Sequence, residues 1–233
     1  MREFFDYRLK FSKNGPIRYV GHLDVVRYMQ KANRRAELPM SYSEGFSPHQ
    51  ILSVALPLPV GATSDGEYLD MRLTQELAPD EIVSRLNKVM HEGIEARDCM
   101  LLAEHAPKAM TVITAAGYRM QLRNADIFRE DPGCALKDFL SRKEILVKKS
   151  TKKGETTVDL IPLIHGWTVG EDGELEIILH AGSRDHVKPA LLYEAFLGSL
   201  GLAFQPQMLA VHRLDLYESP AEGKFVPLIP KSV

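Results

Sequence analysis

The stretch "RYVGHLDVVRYMQKANRR", residues 18–35, sets a histidine and an aspartate ahead of a run of arginines and lysines. If Gly21 caps a helix, His22 takes its first position. There the positive end of the helix dipole disfavours an imidazolium and leaves a neutral ring able to accept a proton. A general base acting on a ribose hydroxyl has this character, with a nearby cation stabilising phosphate. The plainer reading, which we favour, is structural. His22 then lies at a helix entrance, and Asp24, at the third helical position, faces free backbone N–H groups.

Arg27, Lys31 and Arg34 or Arg35 follow at i, i+4 and i+7 or i+8, so they share one helical face. Cations so arranged suit phosphate, which fixes the position of a nucleic acid without reading its sequence. Lys148, Lys149, Lys152 and Lys153, in "SRKEILVKKSTKKGE", form a second basic group, and Arg8 and Lys10 a third. These ten residues are the RNA-binding candidates. The aromatic signature of an RNA-recognition strand is absent, which argues against base stacking of that type.

The segment "MSYSEGFSPHQ" contains Ser43, Glu44, Gly45, Phe46, Pro48 and His49. Glycine and proline around an aromatic residue give a stiff loop, which either touches a partner or substrate or packs Phe46 onto the core. The remaining histidines show no i, i+4 pairing with another ligand type. Cys99 and Cys134 stand far apart, with no zinc-type pair and no disulfide framework. No metal site is expected, and this chain by itself lacks the cysteines for an iron–sulfur cluster. Phosphate-cradling glycine loops, nucleophile elbows and dinucleotide fingerprints are also missing.

These residues must be carried by regular elements. In "YRLKFSKN" Tyr7, Leu9 and Phe11 alternate with charged residues, and "YRMQLRN" at 118–124 repeats the pattern. Period-2 alternation predicts half-buried strands. A helix is predicted from His22 to about Ala36, strands over "ILSVALPLP" and "EYLDMRL", a helix over "APDEIVSRLNKVMHEG" with Gly93 at its C-terminal cap, and a strand over "IEARDCMLL". The second half repeats the order, with a polar "TKKGE" turn between two β-type stretches and a final helix ending at Gly201.

Each half therefore reads β-α-β-β-α-β. The expected fold is α+β, two tandem ferredoxin-like units with antiparallel sheets. Residues 1–105 and 111–218 are the expected domains, and 219–233 an aperiodic, flexible tail. Arg8 and Lys10 in the first unit, with Arg119, Gln121 and Arg123 in the second, would point away from the helices.

The 233 residues are 45% hydrophobic and 26% charged, as in globular chains with a sizeable core. The net charge of −2 gives no global nucleic-acid signature, but charge is segregated: residues 2–35 are strongly basic and residues 36–105 acidic. No apolar run reaches the length of a membrane span, and the N-terminus lacks the features of a secretory signal, so the expected location is the cytoplasm.

The segments "YVGHLDVVR", "RRAELPMSYSEGFSPHQ" and "ALPLPVGATSDGEYLD" resemble the radical SAM-linked proteins, a bacterial family carrying a domain of unknown function. Weaker likeness surrounds "VDLIPLI". Members are encoded beside, or fused to, a radical SAM enzyme. The resemblance implies a non-catalytic accessory role in RNA modification, with the iron–sulfur cluster and S-adenosylmethionine on the partner. It carries no catalytic residues over. Two alternatives stand beside this expectation. One is a metal-independent RNA endonuclease with His22 as base, by analogy with ferredoxin-like processing nucleases. The other is a protein-interaction scaffold without RNA contact.

Overall fold

A computed structural model describes residues 3–124, 128, 131–151, 154–170, 172–182, 185–221 and 223–230. Its elements run β1 (Phe5–Lys13), α1 (His22–Arg35), β2 (Leu52–Val54), β3 (Thr63–Leu73), α2 (Pro79–Asn87), β4 (Ile94–Leu101) and α3 (Ala109–Val112). There follow β5 (Ala115–Leu122), α4 (Pro132–Leu140), β6 (Leu146–Thr151), β7 (Gly154–Asp159), β8 (Ile164–Val169), β9 (Leu175–His180), α5 (Pro189–Ser199), β10 (Leu209–Ala221) and β11 (Lys224–Pro227). The fold is mixed α+β and mostly antiparallel. It divides into two units, one of residues 1–113 and 215–233, the other of residues 114–214.

In the first unit the strand order is β4-β1-β3, with β2 and the later part of β10 on β3 and β11 on β10. The β1–β3 register sets Tyr7 opposite Met71 and Leu9 opposite Leu69, while Asp6 faces Arg72 and Arg8 faces Asp70. Side chains alternate between the faces of a pleated strand, so this register sorts apolar from charged residues. Tyr7, Leu9, Phe11, Leu69, Met71 and Leu73 form a core with Val25, Met29 and Ala32 of α1 and Ile82 and Leu86 of α2. The charged residues occupy the other face. Truncating a side chain as buried as Met29 to alanine costs about 2–5 kcal/mol.

In the second unit the order is β10-β5-β9-β8, and β6 and β7 form a separate two-stranded hairpin. Tyr118, Met120, Leu175, Ile177 and Leu179 are buried with Leu136 and Phe139 of α4 and Leu192 and Phe196 of α5. Phe139 and Phe196 pack ring to ring at 5.4 Å.

Three details differ from the sequence expectation. The "ILSVALPLP" stretch supplies only the short strand β2, because Pro57 and Pro59 cannot continue a ladder. Gly93 does not cap α2, which ends at Asn87 with Lys88 as its cap. It has φ +94°, and a Cβ there would lie 2.6 Å from the Asn14 carbonyl oxygen, whose neighbourhood it must approach because Asn14 N–H donates to the Gly93 carbonyl at 2.7 Å. Residues 224–227 form β11, with Tyr217 opposite Pro227, and Leu228 and Ile229 beyond it are buried.

Candidate functional site

α1 starts at His22 behind an extended Gly21, whose carbonyl accepts from the Asp24 and Val25 N–H groups. Beneath this entrance the fully buried Lys13 donates to the carbonyls of Val20 at 2.8 Å and Arg18 at 3.3 Å, securing the turn that leads into the helix. His22 is half-buried beside Phe11, Val25, Leu58 and Glu67. Among the described residues none hydrogen-bonds its ring.

The helix sorts its residues by face. Val25, Met29, Ala32 and Asn33 are buried, while Arg27, Lys31, Arg34 and Arg35 are exposed. Arg27 pairs with Asp24 at 3.0 Å in an exposed bridge of small energetic weight. The Arg35 guanidinium lies 5.8 Å from the Tyr28 ring centroid and donates to the Val89 carbonyl at 3.2 Å. Lys31 and Arg34 have no acidic partner among the described residues. Tyr19, 64% exposed, precedes the helix and Leu23, 68% exposed, lies in its first turn; Arg18 stacks on the Tyr19 ring at 5.2 Å.

Arg8 and Lys10 do not join this surface. Arg8 is 5% exposed and forms a two-pronged bridge to Asp70, at 2.8 and 3.2 Å, with a further bond to the Pro107 carbonyl at 3.0 Å. Lys10 reaches Asp215 at 2.5 Å, and the Tyr68 hydroxyl donates to the same carboxylate at 2.7 Å. Burial, reinforced by that carboxylate, pushes the Tyr68 hydroxyl's pKa up. Both cations, expected as phosphate ligands, are thus engaged by carboxylates of nearby strands, on the sheet face opposite the helices. Arg119 in the second unit is likewise taken by Glu176 at 2.7 Å and Glu174 at 3.4 Å.

Between the Asp6–Arg72 pair and the loop after α1 lies an open cleft of about 580 Å³. Arg72 holds Asp6 at 2.8 and 3.0 Å, and this hydrogen bond raises its own pKa. His49, Gln50 and Ser53 form one wall, and Glu104, His105 and Lys108 another. Ala109 N–H donates to Asp70 at 2.6 Å, fixing the end of the second wall. His105 has φ +60°, an uncommon conformation for a residue with a side chain.

The loop itself is closed by local bonds. Ser43 Oγ lies 2.8 Å from His49 Nδ1 and accepts from the His49 N–H at 3.1 Å, while Ser43 N–H donates to the His49 carbonyl at 2.9 Å. Gly45 turns the chain with φ +106°. Glu44, Phe46 and Pro48 are exposed, and Phe46 is fully so, projecting from the tip rather than packing on the core. At the loop base the Arg72 N–H donates to the Ile51 carbonyl and the Ser41 N–H to the Arg72 carbonyl, so the residue that binds Asp6 also seats the loop. Ser43 and His49 form no catalytic triad among the described residues, because no carboxylate orients the ring.

In the second unit Lys148 is exposed on β6, and Lys149 Nζ donates to the His186 carbonyl at 3.2 Å. Lys152 and Lys153 lie outside the described residues. The exposed face of α1 thus unites the predicted Arg27, Lys31, Arg34 and Arg35. The cleft brings His49 together with Asp6, Arg72, His105 and Lys108, which sequence reasoning missed. Only the alternation of charge along β1 and β3 signalled the first two.

These features describe a mixed α+β protein with a solvated basic helix and a polar cleft. The family described as "Uncharacterized protein conserved in bacteria (DUF2344)" matches residues 6–189, so the chain belongs to that family. No curated protein matches it. No helix among the described residues is long and apolar enough to cross a membrane.

Proposed function

We propose that this protein is a non-catalytic module that binds RNA and presents it to a radical SAM enzyme in the cytoplasm, with the iron–sulfur cluster and S-adenosylmethionine on that partner. The strand orders β4-β1-β3-β2 and β10-β5-β9-β8 support a reading as two tandem ferredoxin-like units, the β6–β7 hairpin being an insertion in the second.

One observation carries the proposal: Lys31 and Arg34 are exposed and have no acidic partner among the described residues, and they share a helix face with Arg27 and Arg35. Cations spaced along one face track a phosphate backbone. Lys148, exposed on its hairpin in the second unit, is a separate candidate for phosphate contact. Phe46, at the tip of a loop closed by its own hydrogen bonds, is the anchor for the partner.

Crosslinking in native cells followed by purification of the tagged protein tests this reading. RNA crosslinked to peptides from residues 19–35, together with a co-purifying radical SAM enzyme, is expected. Recovery of neither contradicts it.

A further inference from the structure

The basic face of α1 makes no use of the 580 Å³ cleft in the same unit. The floor of that cleft is the sheet face opposite the core. Tyr7, Leu9 and Phe11 of β1 enter the core, so Asp6 points the other way, and the β1–β3 register sets Arg72 beside it. On the other edge of β3, Leu52 pairs with Met71 and Ser53 with Asp70, so Ser53 shares the charged face. Its hydroxyl lines the cleft and has no partner among the described residues. Hydrogen bonds hold both walls. Leu102 N–H donates to the Asp6 carbonyl at 2.8 Å and Ala109 N–H to the Asp70 carboxylate at 2.6 Å. Opposite them, buried Gln50 is tied to Asn33 and to the Gln30 carbonyl. The cleft is therefore preformed and of a size for a small organic group.

Charge and shape select its occupant. The carboxylates of Glu3, Asp6, Asp70 and Glu104 outnumber Arg72 and Lys108, the permanent cations that line the cleft. Arg8 neutralises Asp70 from the strand beside it, and His49 and His105 stand in opposite walls. This balance does not suit a free anion. Shape narrows the choice further. Asp6 holds the Nε and Nη2 edge of the planar Arg72 guanidinium, which lies over the Phe4 ring, 5.6 Å from its centroid. The Arg72 side chain is still 37% exposed, and its Nη1 is uncommitted among the described residues. A guanidinium plane stacks on aromatic rings, and its spare N–H groups lie next to the spare lone pairs of the carboxylate it binds. A neutral, planar ring with donors and acceptors along its edge satisfies all of these groups. We infer that the cleft binds a nucleobase, stacked on Arg72 with its edge toward Asp6 and Ser53.

The inference does not rest on RNA binding at α1, and uncharged probes separate the two. Adenosine, guanosine, cytidine and uridine are each titrated into the full-length, nitrogen-15-labelled protein, with ribose 5-phosphate and spermidine as controls, and amide resonances are followed. At least one nucleoside is expected to give saturable shifts confined to residues 49–53, 70–72 and 102–108, with little dependence on salt because no counterion is released. A single-stranded tetranucleotide of that base, binding more tightly at the same residues, would mark the occupant as an RNA base; binding no tighter would mark it as a free nucleoside. Arg72→Lys keeps the charge but removes the plane, and should weaken nucleoside binding about fivefold or more. Ser53→Met, which fills the cleft without touching the Asp6–Arg72 pair, should weaken it too. Lys31→Glu with Arg34→Glu should leave it unchanged. Absence of a saturable shift with every nucleoside overturns the inference, as do shifts of the same residues by spermidine or ribose 5-phosphate in their place. Affinity unaltered by both Arg72→Lys and Ser53→Met overturns it as well.

Discussion

Asn33 Nδ2 donates to Gln50 Oε1 at 3.1 Å, and the amide of Gln50 donates in turn to the Gln30 carbonyl at the same distance. Both side chains are buried. The helix whose outer face carries the exposed cations is thereby tied, through its inner face, to the loop that walls the cleft. A polar residue in the apolar stripe of α1 therefore serves as a position-fixing contact.

Removing that contact should loosen the loop before it loosens the helix. Asn33→Ala or Gln50→Ala leaves a buried amide without its partner, and each should cost about 1–3 kcal/mol of stability in urea denaturation. Hydrogen exchange should quicken most in residues 41–51. Unchanged exchange there would show that the bond does not seat the loop.

The Arg8–Asp70 pair is almost fully buried, its side chains 6% and 11% exposed. Asp70→Ala strands a buried guanidinium and should destabilise the protein by about 3–5 kcal/mol. The double substitution Arg8→Met, Asp70→Leu should recover much of that loss, because no charge is left without a partner. A double variant no more stable than Asp70→Ala would show that the pair's remaining bonds, to Pro107 and Ala109, dominate.

The two thiols should differ sharply in reactivity. Burial, with Asp98 adding to it, pushes Cys99 up to about 12, whereas Cys134 is exposed and raised by its hydrogen bond to Asp131. A raised pKa means less thiolate at a given pH. In Ellman titrations of the native protein near neutral pH, one thiol should react, more slowly than a small free thiol and faster as pH rises. The second should react only after denaturant is added.

His186 also marks the pH response of stability. Burial, with Arg213 and Lys149 adding to it, holds its pKa lower in the native state than in the unfolded chain, so below the ordinary value of 6.5 the unfolded chain binds the extra proton. Its contribution is complete above that pH and is lost progressively as pH falls toward 4. Urea midpoints should fall less on acidification for His186→Gln than for the wild type. Parallel decreases would show that carboxylates alone set the slope.

The alternation in β1 and the spacing in α1 were legible because each is a local pattern with one period. His22 to Arg35 forms the helix expected from the capping position of Gly21, and its cations share the face the spacing indicated. The fates of Arg8 and Lys10 were not legible. Their acids lie 62 and 205 positions away, and only the register of β1 on β3 and the return of β10 bring them together. Strand β11 was hidden for another reason: "GKFVP" is too short to display a period, and its pairing depends on β10. His186 stood alone in a polar loop, with nothing local to connect it to Lys149 or Arg213.

The most direct test is the affinity of the full-length protein for a fluorescently labelled RNA, followed by anisotropy across a range of salt concentrations and repeated with Lys31→Glu, Arg34→Glu. If the exposed face of α1 holds phosphates, the logarithm of the binding constant falls linearly with the logarithm of salt, and the double reversal weakens binding and flattens that slope by about one to two. Binding that ignores both salt and the reversal, or no binding even at low salt, contradicts it.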